Sequence, residues 1–238
     1  MKNSFVTALI ALSFANLAGM AFANGDGATV EQLAARLKAL ENRYQKLEDV
    51  QDLEKLQRIY GYYIERGQLD DVADLFSTSP SVSLDMSGGV FVGIESVRKM
   101  FSSATPFGVM KPGAKPPDYL HVTAPISGVV DVNSDGKTAQ GRWYALMFLN
   151  NAGLGGGAVW GLGIYENDYV KEGGKWKILH LRFDDLFTST YDKQGWINTM
   201  PAFTQQPGSG PPMGRGRSSN TPFADLMPYH YKNPVTGK

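Results

Sequence analysis

The sequence predicts an α+β domain, and three observations carry that expectation. Apolar residues recur at helical spacing from Leu56 to Phe76, runs of alternating apolar and polar residues follow between Ser81 and Phe183, and clusters of Gly, Asn, Asp and Ser separate those runs. Helices therefore come first and strands after them. At 238 residues the chain is long enough for one such domain with extensions at either end.

The first residues read as a secretory signal rather than as fold. Lys2 supplies a positive start, Phe5 to Ala15 an apolar run, and Ala21-Phe22-Ala23 a small-x-small pattern. Cleavage is expected between Ala23 and Asn24, so residues 1–23 would be removed and the mature protein would be periplasmic or secreted. A retained membrane anchor is the alternative, but the apolar stretch is shorter than the ~20 residues a spanning helix needs. Val30, Leu33, Leu37, Leu40, Tyr44 and Leu47 then follow the a/d rhythm of a coiled coil, flanked by Glu31, Arg36, Lys38, Glu41, Arg43, Lys46 and Glu48. The rhythm slips at Gln51 and resumes through Val50, Leu53 and Leu56. Residues 24–52 are thus expected to form a helical oligomerisation arm of a homodimer or homotrimer. The other reading packs this stripe on the chain's own domain.

The spacing of Leu56, Ile59, Tyr60, Tyr63 and Ile64 predicts a helix whose apolar face carries phenols, ended by Gly67. Leu69, Val72, Ala73, Leu75 and Phe76 predict a short second helix and so a helical hairpin. Ser81 to Met86 alternates as a strand, Ser87-Gly88-Gly89 turns into Val90-Phe91-Val92, and Gly93 to Phe101 predicts a short helix. Ala104 to Tyr119 contains four Pro and two Gly and is expected to be an irregular loop, either a lid or a disordered bulge. Further strands are expected at 120–132, 138–150, 160–170 and 176–183, with Asn133-Ser134-Asp135-Gly136 closing one hairpin and Lys171 to Lys175 turning into the last strand. Residues 191–238 shift to Pro, Gly and isolated aromatics, an extended tail that would wrap over the domain or a neighbouring subunit.

Composition narrows the function classes. Lys plus Arg number 23 and Asp plus Glu 23, so no net field favours nucleic acid or an anionic membrane surface as partner. The chain has no Cys and only three His, at 121, 180 and 230, which argues against thiolate chemistry and a His-rich metal centre. Gly155-Gly156-Gly157 reads as a loop, and no nucleotide-binding fingerprint is present. No metal and no cofactor are expected.

Taken in order, Tyr60…Glu65-Arg66-Gly67…Leu75-Phe76, then Gly93-Ile94-Glu95-Ser96-Val97, Leu120-His121-Val122 and Trp176-Lys177-Ile178 resemble the SnoaL-like branch of the NTF2-like superfamily over roughly residues 50–190. The resemblance implies a cone, a curved antiparallel sheet wrapped around helices, over 53–190. It also implies that Tyr60, Glu65 and His121 stand where dehydratases of this group hold a Tyr, an acid and a His. Two departures are visible: the acid is Glu where Asp is frequent, and Gln68 follows the glycine where Asp is usual.

From the residues alone, strand alternation places His180 and Arg182 on the face of Trp176 and Ile178, a titratable pair beside a core Trp. His121 heads its strand with Thr123 two residues on, and imidazole is the side chain best matched to proton transfer near neutral pH. Tyr63, Asp85, Trp143, Tyr144, Trp160 and Tyr165 are the candidate lining for a flat aromatic substrate. Each has a plain alternative: Tyr60 as a core phenol that Tyr63 could replace, Glu65 as a solvated helix-end carboxylate, His180 as a half-buried strand residue, Arg182 as one half of an ion pair with Asp184 or Asp85, and the large aromatics as core. The resemblance implies a cofactor-independent lyase with His121 as base or acid, Tyr60 donating to the developing oxyanion and Arg182 stabilising a phenolate. Within the family it points to the group that releases water and then formaldehyde from lignin-type aromatic dimers through a quinone methide. A ketosteroid-isomerase-like enzyme using Asp85 and Tyr60, and a non-catalytic binder of small aromatics, are the alternatives.

Overall fold

A computed structural model describes residues 28–86, 89–102, 120–150, 158–190, 230–232 and 234–236. The expected signal segment, the Pro-rich loop, the triple-glycine loop and most of the tail lie outside the described residues. The chain divides into two compact units, Met1–Gln45 and Lys46–Lys238.

Helix α1 runs unbroken over Val30–Arg66 and contributes to both units. Its start is fixed by a reciprocal cap: Gln32 N donates to Thr29 Oγ1 at 3.2 Å, and Thr29 N to Gln32 Oε1 at 2.9 Å. The expected boundary between residues 52 and 53 falls inside this one helix. No helix of the described residues is long and apolar enough to cross a membrane. From Asp49 on, Leu53, Leu56, Gln57, Tyr60, Gly61 and Ile64 are buried at spacings of three and four. Gly67 takes a φ of 68°, ending the helix, and α2 follows at Leu69–Asp74.

The remaining elements are β1 Ser83–Met86, β2 Gly89–Val92, α3 Ile94–Ser102, β3 Leu120–Val132, β4 Thr138–Asn150, β5 Val159–Glu172 and β6 Lys175–Thr190. They form one sheet in the order β2-β1-β6-β5-β4-β3, antiparallel except where β1 meets β6. The strand expectations are met with the two last strands longer than the alternation suggested. Bulges interrupt the β3·β4 ladder between Ile126 and Val129 and the β5·β6 ladder at two places, and extra residues of this kind bend and twist a strand. The sheet is accordingly curved.

Helix α1 crosses the inner face of this sheet. At Gly61 an added Cβ would lie 2.6 Å from the carbonyl oxygen of Thr123 on β3, so glycine is what lets the helix seat. Gly61→Ala is therefore expected to destabilise the fold by about 1–3 kcal/mol despite alanine's better helix propensity, read as a lower urea midpoint at unchanged m-value. Deeper in the same unit, buried Gln57 accepts from Asn167 Nδ2 at 3.0 Å and from Tyr169 Oη at 2.9 Å. Asp49 accepts from Lys171 and, at 3.0 Å, from Trp176 Nε1. These bonds tie the helix to β5 and β6. On the outer face, His230 of the tail meets Glu166, which also pairs with Arg142 at 2.6 Å.

The two bulges in β6 overturn the expected facing of its residues. Ile178 pairs with Tyr169 and His180 with Asp168, leaving Leu179 extra; Asp185 pairs with Gly163 and Phe187 with Leu162, leaving Leu186 extra. Each extra residue reverses the phase of the strand. Trp176, Ile178, Leu181, Phe183 and Asp185 thus share the inner face, whereas His180 and Arg182 turn outward.

Candidate active site

The inner face of the sheet is read directly from the ladder. His121, Thr123 and Pro125 of β3 lie beside Leu149, Met147 and Ala145 of β4, then Val159, Gly161 and Gly163 of β5, with Thr190, Thr188 and Asp185 of β6 completing the rows. The next row down is Trp143, Tyr165 and Phe183. Against this surface α1 places Tyr60, 2% exposed. Its ring stands edge-on to Tyr165 at 6.0 Å between centroids, with Phe76 and Phe101 at 6.4 and 6.5 Å.

The Tyr60 and Tyr165 hydroxyls are hydrogen-bonded to each other, and burial pushes both phenols well above their ordinary range. For Tyr165 the second phenol and the Asp185 carboxylate add to that rise. Both hydroxyls therefore keep their protons; Tyr165 donates to the Tyr60 oxygen, which leaves the Tyr60 proton to be donated elsewhere. His121 moves the opposite way, because burial disfavours its cation and lowers it to about 3. A neutral imidazole at working pH accepts a proton rather than delivering one. In the unfolded chain this His titrates near pH 6.5, so the folded state binds its proton later and loses stability as pH falls from about 6.5 towards 3. The slope is at most about 1.4 kcal/mol per pH unit, reduced by the partial solvent access the ring retains. His121→Gln should flatten that slope in a series of urea titrations across pH 4–6, an outcome a solvated histidine would not give.

The remaining expected residues scatter. Tyr63 packs half-buried against the core at the side of α1, so Tyr60 is the phenol that points inward. Glu65 is half-exposed, five residues from Tyr60 and so about 140° around the helix. Trp143 faces inward but belongs to the core floor, lying over Gly128 and Gly141 and edge-on to Tyr169 at 5.9 Å. Tyr144 and Trp160 face outward: Tyr144 is 45% exposed, and Trp160 packs on Phe187 at 5.2 Å. The strand period opposes neighbours of Trp143 and Tyr165 to them, so the four aromatics could not all line one side.

Asp85, His180 and Arg182 are also corrected to the outer face. In the parallel ladder Asp85 stands beside Arg182 and Ser83 beside His180, while Leu84 takes the inner side. Ser83 Oγ and His180 Nδ1 are 2.9 Å apart, and Arg182 pairs with Asp168 at 2.7 Å rather than with Asp184 or Asp85. Burial acts to raise Asp168, but its bonds from Arg182 and Gln140 hold it below the usual carboxylate range. Burial also lowers His180, partly offset by Asp168. These groups neutralise one another away from the phenols. The residue that sequence reasoning missed is Asp185, 4% exposed on the inner face. Alternation counted onward from Phe183, instead of from Trp176, would have found it.

Residues 45–182 match the SnoaL-like domain family. The chain belongs to that family. Its fold is the expected α+β one, a curved six-stranded sheet with an N-terminal helix, and a solved structure shares it. A candidate scytalone dehydratase from Novosphingobium aromaticivorans superposes with a TM-score of 0.53 at 15% identity, covering 68% of this chain and 96% of the other. A candidate aromatic ring hydroxylase from the same organism gives 0.49 at 22% identity over 61% and 94% of the two chains. An NTF2-like protein with a cystatin-like fold, again from that organism, gives 0.45 at 16% over 66% and 90%. No curated protein matches this SnoaL-like chain. Among the described residues of this SnoaL-like protein no three His, Cys, Asp or Glu are grouped to hold a metal ion. What the inner face can do is acid–base chemistry, with two protonated phenols, a buried carboxylate and an uncharged imidazole among apolar and threonine side chains.

Proposed function

We propose that this SnoaL-like protein is a cofactor-independent lyase that eliminates water, formaldehyde or both from a hydroxylated, lignin-derived type of aromatic compound. The observation that carries the reading is the buried Tyr60–Tyr165 hydroxyl pair beside Asp185, on the same inner face as a neutral His121. In a phenolic diarylpropanediol, loss of the benzylic hydroxyl as water leaves a quinone methide. Removal of the terminal hydroxyl proton then breaks the adjacent carbon–carbon bond, releases formaldehyde and returns the electron pair to the ring as a phenol. The products are a stilbene, water and formaldehyde, and the atoms balance without an oxidant. His121 accepts the proton, and the Tyr60 hydroxyl donates to the oxygen that gains charge. Arg182, facing away, has no part in it. The reading includes export after cleavage near Ala23-Asn24, since such substrates arise outside the cell.

A second reading is favoured by one specific feature. Asp185 beside the Tyr165 phenol, itself bonded to Tyr60, is a carboxylate–phenol arrangement that serves a double-bond isomerase, with Asp185 in the place sequence reasoning gave to Asp85. The test is incubation of the purified protein with a panel of phenolic diarylpropanediols and β,γ-unsaturated ketones, followed by near-ultraviolet absorbance, formaldehyde trapping and product mass. New conjugation with formaldehyde is the expected result, and conjugation with loss of water alone leaves a dehydratase. Conjugation at unchanged mass transfers the assignment to the isomerase. Unchanged ligand recovered throughout overturns both and leaves a binding protein.

A further inference from the structure

We propose that the exposed seam of α1 takes a second copy of this chain in a parallel, in-register, two-stranded coiled coil. Val30, Leu37 and Tyr44 occupy a positions and Leu33, Leu40 and Leu47 d positions, and all six side chains are exposed, at 51% to 77%. The helix turns Glu31, Lys38 and Gln45 to the opposite side, so the apolar stripe is one-sided. Beyond Leu47 the next a and d positions are the polar Gln51 and Glu54, while Leu53 and Leu56 turn into the chain's own core. The seam stops where the helix begins to be covered.

The charges beside the seam choose the partner and its direction. In this phase Arg36 and Arg43 fall at g and Glu41 and Glu48 at e. In a parallel pair each g residue faces the e residue five positions on in the other helix, so Arg36 meets Glu41 of the second copy and Arg43 meets Glu48 of the second copy. In an antiparallel pair g faces g and e faces e, setting arginine against arginine and glutamate against glutamate. A β-branched residue at a with leucine at d favours two strands in a parallel pair, and Val30 followed by Leu33 is that combination. The seam is only about 27 Å long at 1.5 Å per residue, so association is concentration-dependent rather than permanent. This inference is independent of the catalytic reading.

The absence of cysteine from the sequence makes the test clean. Leu33→Cys in the full chain should form a disulfide-linked dimer under mild oxidation, because in-register parallel helices bring the two introduced thiols face to face. Sedimentation equilibrium at micromolar concentration should give twice the single-chain mass. Leu33→Glu/Leu40→Glu should return it to the single-chain mass with the urea midpoint of the rest of the protein unchanged. Arg36→Glu/Arg43→Glu should likewise be monomeric and should recover the doubled mass on mixing with Glu41→Arg/Glu48→Arg. A wild-type monomer, a trimer, or a dimer that survives Leu33→Glu/Leu40→Glu overturns the proposal. So does cross-linking only between Leu33→Cys and Tyr44→Cys chains, which is the antiparallel result, since d positions then face a positions.

Discussion

His121→Ala is expected to lower kcat/KM towards a phenolic diarylpropanediol by about 10²–10⁴-fold, the range removed with a positioned general base. Tyr60→Phe is expected to cost about 10²–10³-fold, as loss of one donor to a developing oxyanion does. The two act on one proton path, so the double variant should fall well short of the product of the single effects. Because burial holds His121 near 3, its working, neutral form is complete above about pH 4. The acid limb of the wild-type profile should therefore lie well below pH 6.5, where an ordinary histidine base would begin to fail. His180→Ala is the control: that ring faces outward and bonds Ser83, and its loss should leave kcat/KM unaltered. Equal losses in the His121 and His180 variants would mean that the inner face is not where the reaction occurs.

Asp49→Ala should be the most destabilising of the single substitutions considered, by about 3–5 kcal/mol. Asp49 is 2% exposed and binds both Lys171 and Trp176 Nε1, so truncation strands a largely buried ammonium and a buried indole N–H together. Asp49→Asn keeps an acceptor for the indole and should fall between. The measurement is urea denaturation of the three proteins side by side at neutral pH. A loss under about 1 kcal/mol for the alanine variant would mean that water reaches Lys171 and that the pair behaves as a surface bridge.

Much of the fold was legible because its signals are periodic. Leu53, Leu56, Tyr60 and Ile64 mark the buried face of α1 by spacing alone, and Gly67 marks its end by the positive φ it supplies. The hairpin at 133–136 and the turn before Lys175 were equally plain. The site was legible only in part. Tyr60, His121 and Tyr165 lie on the inner face, each in a stretch where the period runs undisturbed and facing can be counted. His180 and Arg182 were misassigned and Asp185 was missed, because a bulge leaves no mark in composition; Asp85 sits opposite Leu84 in plain alternation. Leu179 and Leu186 look like any strand leucine, and what makes them extra is the pairing with β5. A resemblance that runs along the whole domain cannot repair this, since it supplies the order of the elements but not the phase of each strand.

Those two leucines give the length of β6 a role separate from its chemistry. Deleting both would remove the bulges while every remaining residue of β6 kept its partner on β5 and its face, so the strand would lose its bends and not its inner lining. For a fold of this kind, gain or loss of a single codon at such a place changes how sharply the wall bends, and so the shape of the space it encloses, while the same side chains go on facing it. The same arithmetic makes strand length a property to preserve when this protein is redesigned.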